Sequence, residues 1–461
     1  MELKGVDKYS RFTLRLWILL LLLLIAGSFM NFFDFFIIGF INTFITKPWH
    51  INVGDAAWLI LASGLGLVVG GFSTGKLMDM HGRKIILILN VIVYSVFSIL
   101  SAFVPTGNWQ LLAVYRFFLG IGVGGSFAVV FPYIAEFAPA SRRGLLIGLV
   151  VIGTPVGTLL ASLSSAFLEP IIGYRGLLLE GGIPLLMIPF LFLFAYESPR
   201  WLIGKGKLEE ARTVIAKVYN LSKDSVKLNP EDFPSFNKKT KWADLFKYPK
   251  PLTTTWIINF TLQSVSYNFT IWGPAILIFV LGVSKTGAAY LFIFVSLSGL
   301  SGRVLMDLLL DKIGRRLSGI ITSLGAVIFL VLAGIFHSVV IGSASLFYIL
   351  AIVSYFFLDA NWPVLTVVGS ESWPQEIRGT GWGSGYGFGA FGKIAGTIVL
   401  ALLVGVGVSI SPKPDLAGIL PVFLFFGVMI FIAFLMFLFI APDYKGKSLE
   451  AIDREQAEAA Q

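Results

Sequence analysis

Apolar runs long enough to cross a lipid bilayer recur along the whole chain, and no other feature limits its fold so tightly. Leu16 to Ile25, Ile85 to Leu89 and Val422 to Ile440 are examples, and windows of ~20 residues can be placed about twelve times. With 56% of residues hydrophobic and 13% charged, a soluble fold could not bury this much apolar surface. An outer-membrane barrel would give short alternating segments rather than continuous runs. The expected fold is therefore an all-α polytopic membrane protein. The chain has no cysteine, which excludes disulfides, thiolate metal sites and cysteine nucleophiles.

The spans are placed near 16–45, 56–75, 85–104, 109–133, 144–168 and 176–196, then near 252–281, 286–302, 317–337, 342–370, 380–408 and 416–441. On this map Lys47, Arg175, Lys285 and Lys413 fall on one side, Arg116 and Lys393 fall within spans, and the other 29 of 35 basic residues fall on the opposite side. By the positive-inside rule that side is cytoplasmic, so both termini are expected inside a plasma-membrane protein, and the net charge of +9 reports topology rather than nucleic-acid binding. The basic stretch from Lys4 to Arg15 is followed by no small-residue cleavage site, so the run after it reads as the first span.

Two motifs repeat. Asp79, Gly82 and Arg83 return 232 residues later as Asp311, Gly314 and Arg315. Glu136, Pro139, Arg143 and Gly144 return 235 residues later as Glu371, Pro374, Arg378 and Gly379. Near-equal displacements indicate a duplication of six spans. The resulting organisation is an N-terminal bundle over 1–196, a connector over 197–251, a C-terminal bundle over 252–441 and a tail over 442–461. In the connector, Leu208, Ala211, Ile215 and Val218 keep helical spacing, which predicts an amphipathic helix on the membrane face. The glycines permit tight turns, and the arginines can reach acids or helix C-termini, so these loops are expected to latch the two halves together.

These residues carry a resemblance. Gly75, Asp79, Gly82, Arg83 and Lys84 resemble the loop between the second and third helices of the major facilitator superfamily. Arg116, Gly120, Gly122, Gly124 and Gly125, followed by Pro132, Tyr133, Glu136, Pro139 and Arg143, resemble the fourth helix of its sugar-transporter-like branch. Glu197-Ser198-Pro199-Arg200-Trp201-Leu202 and the closing Pro442, Lys445, Gly446, Leu449 and Glu450 are similar to hallmarks of the same branch. The resemblance covers nearly the whole chain. It implies a secondary transporter with twelve helices in two six-helix bundles, alternating access and a central site.

An ionisable group mid-span costs at least ~2.5–3.5 kcal/mol on insertion scales, so each one points to function. Asp34 and Arg116 come out at compatible depths in the outer half of the membrane, and a carboxyl beside an arginine can change its proton affinity as the pair opens and closes. The resemblance makes them the proton-coupling pair. Asp359 and Lys393, counted from their helix ends, both fall ~18–20 Å deep, so they are expected to face each other, with Lys393 binding an anionic or hydroxylated substrate and Asp359 restraining it. Glu180 lies close enough to the headgroups to be a rim residue. Gly392-Lys393-Ile394 resembles a Gly-Arg-Ile of organic-acid and nicotinate-type members, and the spacing from Asp34 to Gly39 is also closer to the organic-acid members.

Gln263 and Asn268 in the seventh span look like sugar-binding amides of the sugar porters, while Tyr267 with Trp272 and Pro274 looks equally like the organic-acid branch. Val151 and Thr366 stand where sugar porters carry a Gln and a stacking Trp. The glycines from Gly120 to Gly125, and Gly71 with Gly75, are read as helix-packing positions. His50, His81 and His337 are scattered, so no metal and no cofactor are expected. No nucleophile, base and metal constellation is present, so the chain is not expected to be an enzyme. The reading is a monomeric, proton-coupled importer of a small polar solute. Sugar or polyol is put ahead of organic acid, and a non-transporting membrane sensor of the same fold is the alternative from another class.

Overall fold

The computed structural model describes residues 12–138, 143–228, 242–373, 377–407, 410 and 416–442. The tail from 443, Pro139, Pro374, Lys413 and connector residues 229–241 lie outside them, as do the side chains of Arg143, Asp311 and Arg378. Among the described residues, eleven helices are long and apolar enough to cross a membrane. Several of them begin where hydrogen-bonding caps stand. Thr13 opens the first span, Leu14–Trp49, by accepting from the Leu16 N–H. Asn52 forms a capping box with Asp55 at the head of the second, Val53–His81. Gly82, at φ 100°, turns the chain into the third, Arg83–Ala102, and Asn108 caps the fourth, Trp109–Phe137. The fifth, Arg143–Leu163, runs through a π-helical turn at Ser164–Leu168 into Glu169–Glu180. Within that last segment Gly173, at φ 67°, breaks the helical path, and residues 174–180 after it open the sixth span.

The sixth crossing is in pieces, with Pro184 in the break. After Glu180 come Gly181 and Gly182, a 3₁₀ turn at Ile183–Met187 and a short helix at Ile188–Phe194. The second half runs as Pro249–Leu281, Lys285–Ile313, Arg315–Ile335, Leu346–Glu371, Arg378–Val404 and Ile419–Phe439, with the short hairpin Val340–Ile341 and Ala344–Ser345 before the tenth span. The helix Leu208–Tyr219 forms as expected, but its apolar face is covered by protein rather than by lipid alone. Ala211, Ile215 and Val218 are buried, the Tyr219 hydroxyl donates to the Phe137 carbonyl (2.9 Å), and the Thr13 hydroxyl donates to the Val218 carbonyl (2.5 Å).

Missing side chains bring the helices into contact. A methyl group built on Gly66, Gly70, Gly120 or Gly124 would stand 2.0–2.2 Å from a backbone carbonyl oxygen of the facing helix, so the second and fourth spans touch backbone to backbone. A methyl group on Gly122 would stand 2.5 Å from the Tyr94 backbone nitrogen of the third span. Gly71 and Gly75, expected to pack in this way, face open space instead, because they lie on another side of the helix from Gly66 and Gly70.

The bundles meet through a few polar ties. Gly54 N–H donates to the Val406 carbonyl (2.8 Å), Lys285 to the Phe44 carbonyl (3.1 Å), and the Ser162 and Ser296 hydroxyls pair at 3.1 Å. Arg303 of the eighth span donates to the Val151 carbonyl of the fifth (2.6 Å) and to Asp359 of the tenth (2.5 Å). This corrects two expectations. The span placed near 286–302 leaves Arg303 outside the membrane, yet its helix runs ten residues further to Ile313, which puts it about 15 Å from that helix end. Asp359 pairs with Arg303 and not with Lys393, since equal depth on two helices does not fix which way the side chains turn.

Gly120→Ala is expected to cost about 1–3 kcal/mol by overpacking, read as a lower unfolding midpoint in detergent, while Gly71→Ala is neutral. Asp359→Asn, which leaves a buried guanidinium uncompensated, is expected to cost about 3–5 kcal/mol, and adding Arg303→Met is expected to recover most of it. Independent, additive effects of the two substitutions would contradict the pairing.

Candidate functional site

Asp34 follows a π-helical turn, Ile25–Phe29, in the first span, a distortion frequent at functional sites. It is fully buried. One carboxylate oxygen accepts from the Ser98 hydroxyl at 2.7 Å and lies 3.6 Å from Arg116 Nη1, while Oδ2 has no hydrogen-bond partner. Arg116, also fully buried, is held by other groups. Its Nη2 donates to the backbone carbonyl of Asp34 (2.9 Å), and its Nε donates to the Ser63 hydroxyl (3.3 Å). The guanidinium therefore keeps backbone and hydroxyl partners if the carboxylate becomes neutral, which is what a reversible proton site needs.

A second constellation lies between the seventh and eleventh spans. Lys393 is 7% exposed, and its ammonium stands 5.5 Å from the Tyr267 ring centroid and 5.4 Å from that of Tyr386. No carboxylate is within 4.0 Å of it among the described residues. The tyrosines continue into an aromatic wall shared by both bundles. Phe35 and Phe36 of the first span lie 5.5 and 6.4 Å from Tyr267, and Phe127 of the fourth lies 5.4 Å from Tyr386.

Gln263 donates to Asn259 Oδ1 (3.1 Å) and to the Tyr386 carbonyl (3.3 Å), leaving its own oxygen without a donor. The Tyr267 hydroxyl and the Trp272 indole N–H are likewise buried without partners. Asn268 is engaged at both ends of its amide. It donates to the carbonyls of Ser264 (2.8 Å) and Lys393 (3.2 Å) and accepts from the Thr397 hydroxyl (2.8 Å), so in this state it joins two helices. Glu180 is half-buried at the end of its helical segment and has one unpartnered oxygen.

Among the described residues, the ion pairs of the loop residues Arg83 and Arg315 lie within one half each and not across the two, unlike the expected latch. Arg83 pairs with Asp79 (3.1 Å) and Glu136 (3.4 Å) in the first half, and its backbone N–H donates to Glu197 (2.7 Å) at the start of the connector. Arg315 pairs with Glu371 (3.0 Å), within the second. The physical reason is reach, because each turn sits over the ends of its own bundle's helices. Gly82 leaves the space that Glu197 occupies, since a methyl group there would lie 2.2 Å from its carboxylate, and Gly314 turns with the same positive φ, 103°. Burial pushes the Glu197 carboxyl above the usual carboxylate range, against the lowering effect of backbone N–H groups of Ser198, Arg83 and Lys84.

Sequence reasoning missed Arg303, Ser98, Gly181 and Tyr386. Arg303 could have been found from the repeat, because Gly314 mirrors Gly82 and so fixes where the eighth helix ends. The other three carry no sequence signal of their own.

Comparison with known proteins accords with this architecture. A family model described as "Sugar (and other) transporter" matches residues 20–455. The niacin transporter NiaP of Acinetobacter baylyi is 26% identical over 427 residues, covering 90% of this chain and 92% of that protein. The 4-hydroxybenzoate transporter PcaK of the same organism is 27% identical, covering 80% of each. The D-xylose transporter of Levilactobacillus brevis is 29% identical, covering 73% of this chain and 76% of that protein. Among solved structures, the partially occluded inward-open xylose transporter XylE from E. coli superposes with a TM-score of 0.74 at 20% identity, covering 95% of this chain and 100% of that one, a likeness of fold. Eleven membrane-length helices among the described residues with a sixth crossing in pieces, charges buried on those helices, and a family match over residues 20–455 make this chain a member of the sugar (and other) transporter family.

Proposed function

We propose that the protein is a monomeric, proton-coupled symporter of the plasma membrane, with both termini cytoplasmic, and that it carries a small organic carboxylate by alternating access. The observation that carries this reading is Lys393, a buried ammonium flanked by two tyrosine rings and by no acid among the described residues. A lone cation at that depth is costly, and a substrate carboxylate supplies the missing partner. A flat ring attached to that carboxylate fits the wall made by Phe36, Phe127, Tyr267 and Tyr386. Relatives that bear the names of niacin and 4-hydroxybenzoate transporters, both aromatic carboxylates, support the class.

The sugar reading keeps one specific observation. The Gln263 oxygen and the Trp272 N–H are both unpartnered, and the relatives include a D-xylose transporter. Asn268, however, has its amide engaged by the bundle, which leaves a hydroxyl-rich ligand few partners.

In the coupling step, Asp34 takes a proton on one side and releases it on the other. Arg116 lowers the cost of the charged form without depending on it, because its backbone partner persists. Asp79, Gly82, Arg83 and Glu136, with Asp311, Gly314, Arg315 and Glu371 in the second half, brace each bundle so that it moves as a body. Arg143 and Arg378 are assigned to the same bracing.

The test is accumulation of labelled 4-hydroxybenzoate, niacin and D-xylose in proteoliposomes under an imposed pH gradient. The carboxylates are expected to accumulate, and Lys393→Gln to lose about tenfold or more of that uptake, the size of a charge-assisted hydrogen bond of ~1.5–3 kcal/mol. Accumulation of D-xylose alone, unaffected by Lys393→Gln, would replace the carboxylate with a sugar.

A further inference from the structure

Ser98 lies in the third span, fully buried, with its hydroxyl oxygen 2.7 Å from Asp34 Oδ1 and 2.9 Å from the Leu178 carbonyl oxygen. A hydroxyl has one proton to donate and lone pairs with which to accept, so it can donate to only one of these oxygens at a time. The Leu178 carbonyl belongs to the last turn before the break in the sixth span. The N–H four residues on, that of Gly182, donates to Leu179 instead (2.9 Å), so Leu178 lacks its usual helical donor. Gly181 closes the cluster. A methyl group there would stand 2.2 Å from the Ser98 oxygen and 2.6 Å from Asp34 Oδ1.

We propose that Ser98 is a positioning residue that passes the protonation state of Asp34 to the break in the sixth span. The inference rests on Asp34 being the proton carrier. With Asp34 charged, Ser98 gives its proton to the carboxylate in a charge-assisted bond, and the Leu178 carbonyl goes without that donor. With Asp34 protonated, the acid O–H needs an acceptor, and the Ser98 oxygen is already at hydrogen-bond distance. Accepting there, Ser98 turns its own proton to Leu178. One proton arrives on the carboxyl, no other group ionises, and one hydroxyl rotates. The sixth span gains a hydrogen bond on protonation and loses it on release, at the point where Gly181 and Gly182 interrupt its helix and no continuous ladder holds it straight.

The test is infrared difference spectroscopy of the full chain in liposomes as the pH is stepped, with no substrate present. In the unmodified protein a carboxylic acid C=O band is expected that Asp34→Asn removes, accompanied by a backbone carbonyl shift that moves on labelling leucine carbonyls with ¹³C. Ser98→Ala is expected to keep the acid band and lose the leucine carbonyl shift completely, and Ser98→Thr to restore it. If Ser98→Ala does not fold, Ser98→Cys, a weaker donor of similar size, is expected to diminish the shift. A leucine carbonyl shift that persists unchanged without the Ser98 hydroxyl overturns the inference and leaves the proton-carrier reading intact. Absence of any acid band assignable to Asp34 overturns both.

Discussion

A charge inside a bilayer must find its partner inside the protein, and the buried architecture follows from how each ionisable side chain meets that demand. Asp34 and Arg116 share the first bundle, but the guanidinium leans on the acid's own backbone carbonyl and on Ser63, so their carboxylate contact can loosen at modest cost. Arg303 and Asp359 are bound closely, and Arg303 also holds Val151 of the other bundle. Lys393 takes tyrosine faces in place of an acid. The three solutions differ in strength. The loosest suits proton exchange, the tightest suits a tie between bundles, and the incomplete one suits a ligand.

Such sites need helices that approach closely, and small residues supply the approach. Gly66, Gly70, Gly120 and Gly124 let the second and fourth spans touch through their backbones, which carries Ser63 to the side of Arg116. Gly181 does the same for the broken sixth span beside Asp34, where any larger side chain would displace either the carboxylate or Ser98. The described ion pairs on the Arg83 and Arg315 turns lie within one half each, so these pairs do not oppose motion of one bundle against the other.

Most of the architecture was legible in the sequence because a span needs only length and apolarity, and because the repeated turns at Gly82 and Gly314 mark matching helix ends. Azimuth was not legible. Gly71 and Gly75 have the same spacing as Gly66 and Gly70, but a five-residue offset turns them roughly 140° around the helix, away from the fourth span. Asp359 and Lys393 share a depth without sharing a face. Arg303 was lost because a hydropathy window closes at a charge, whereas its helix continues to Ile313. Ser98 gives no signal because a serine in an apolar span ordinarily bonds to its own helix. Asp34 and Arg116 were legible, since mid-span charges are costly enough to stand out.

Proton coupling through Asp34 is tested most directly by a pH-sensitive dye trapped in proteoliposomes to which 4-hydroxybenzoate or niacin is added outside. Acidification of the lumen on addition, abolished in Asp34→Asn, is the expected result. Entry of labelled substrate with no proton signal, and with Asp34→Asn transporting equally well, would contradict the coupling and leave facilitated diffusion or another ion in its place.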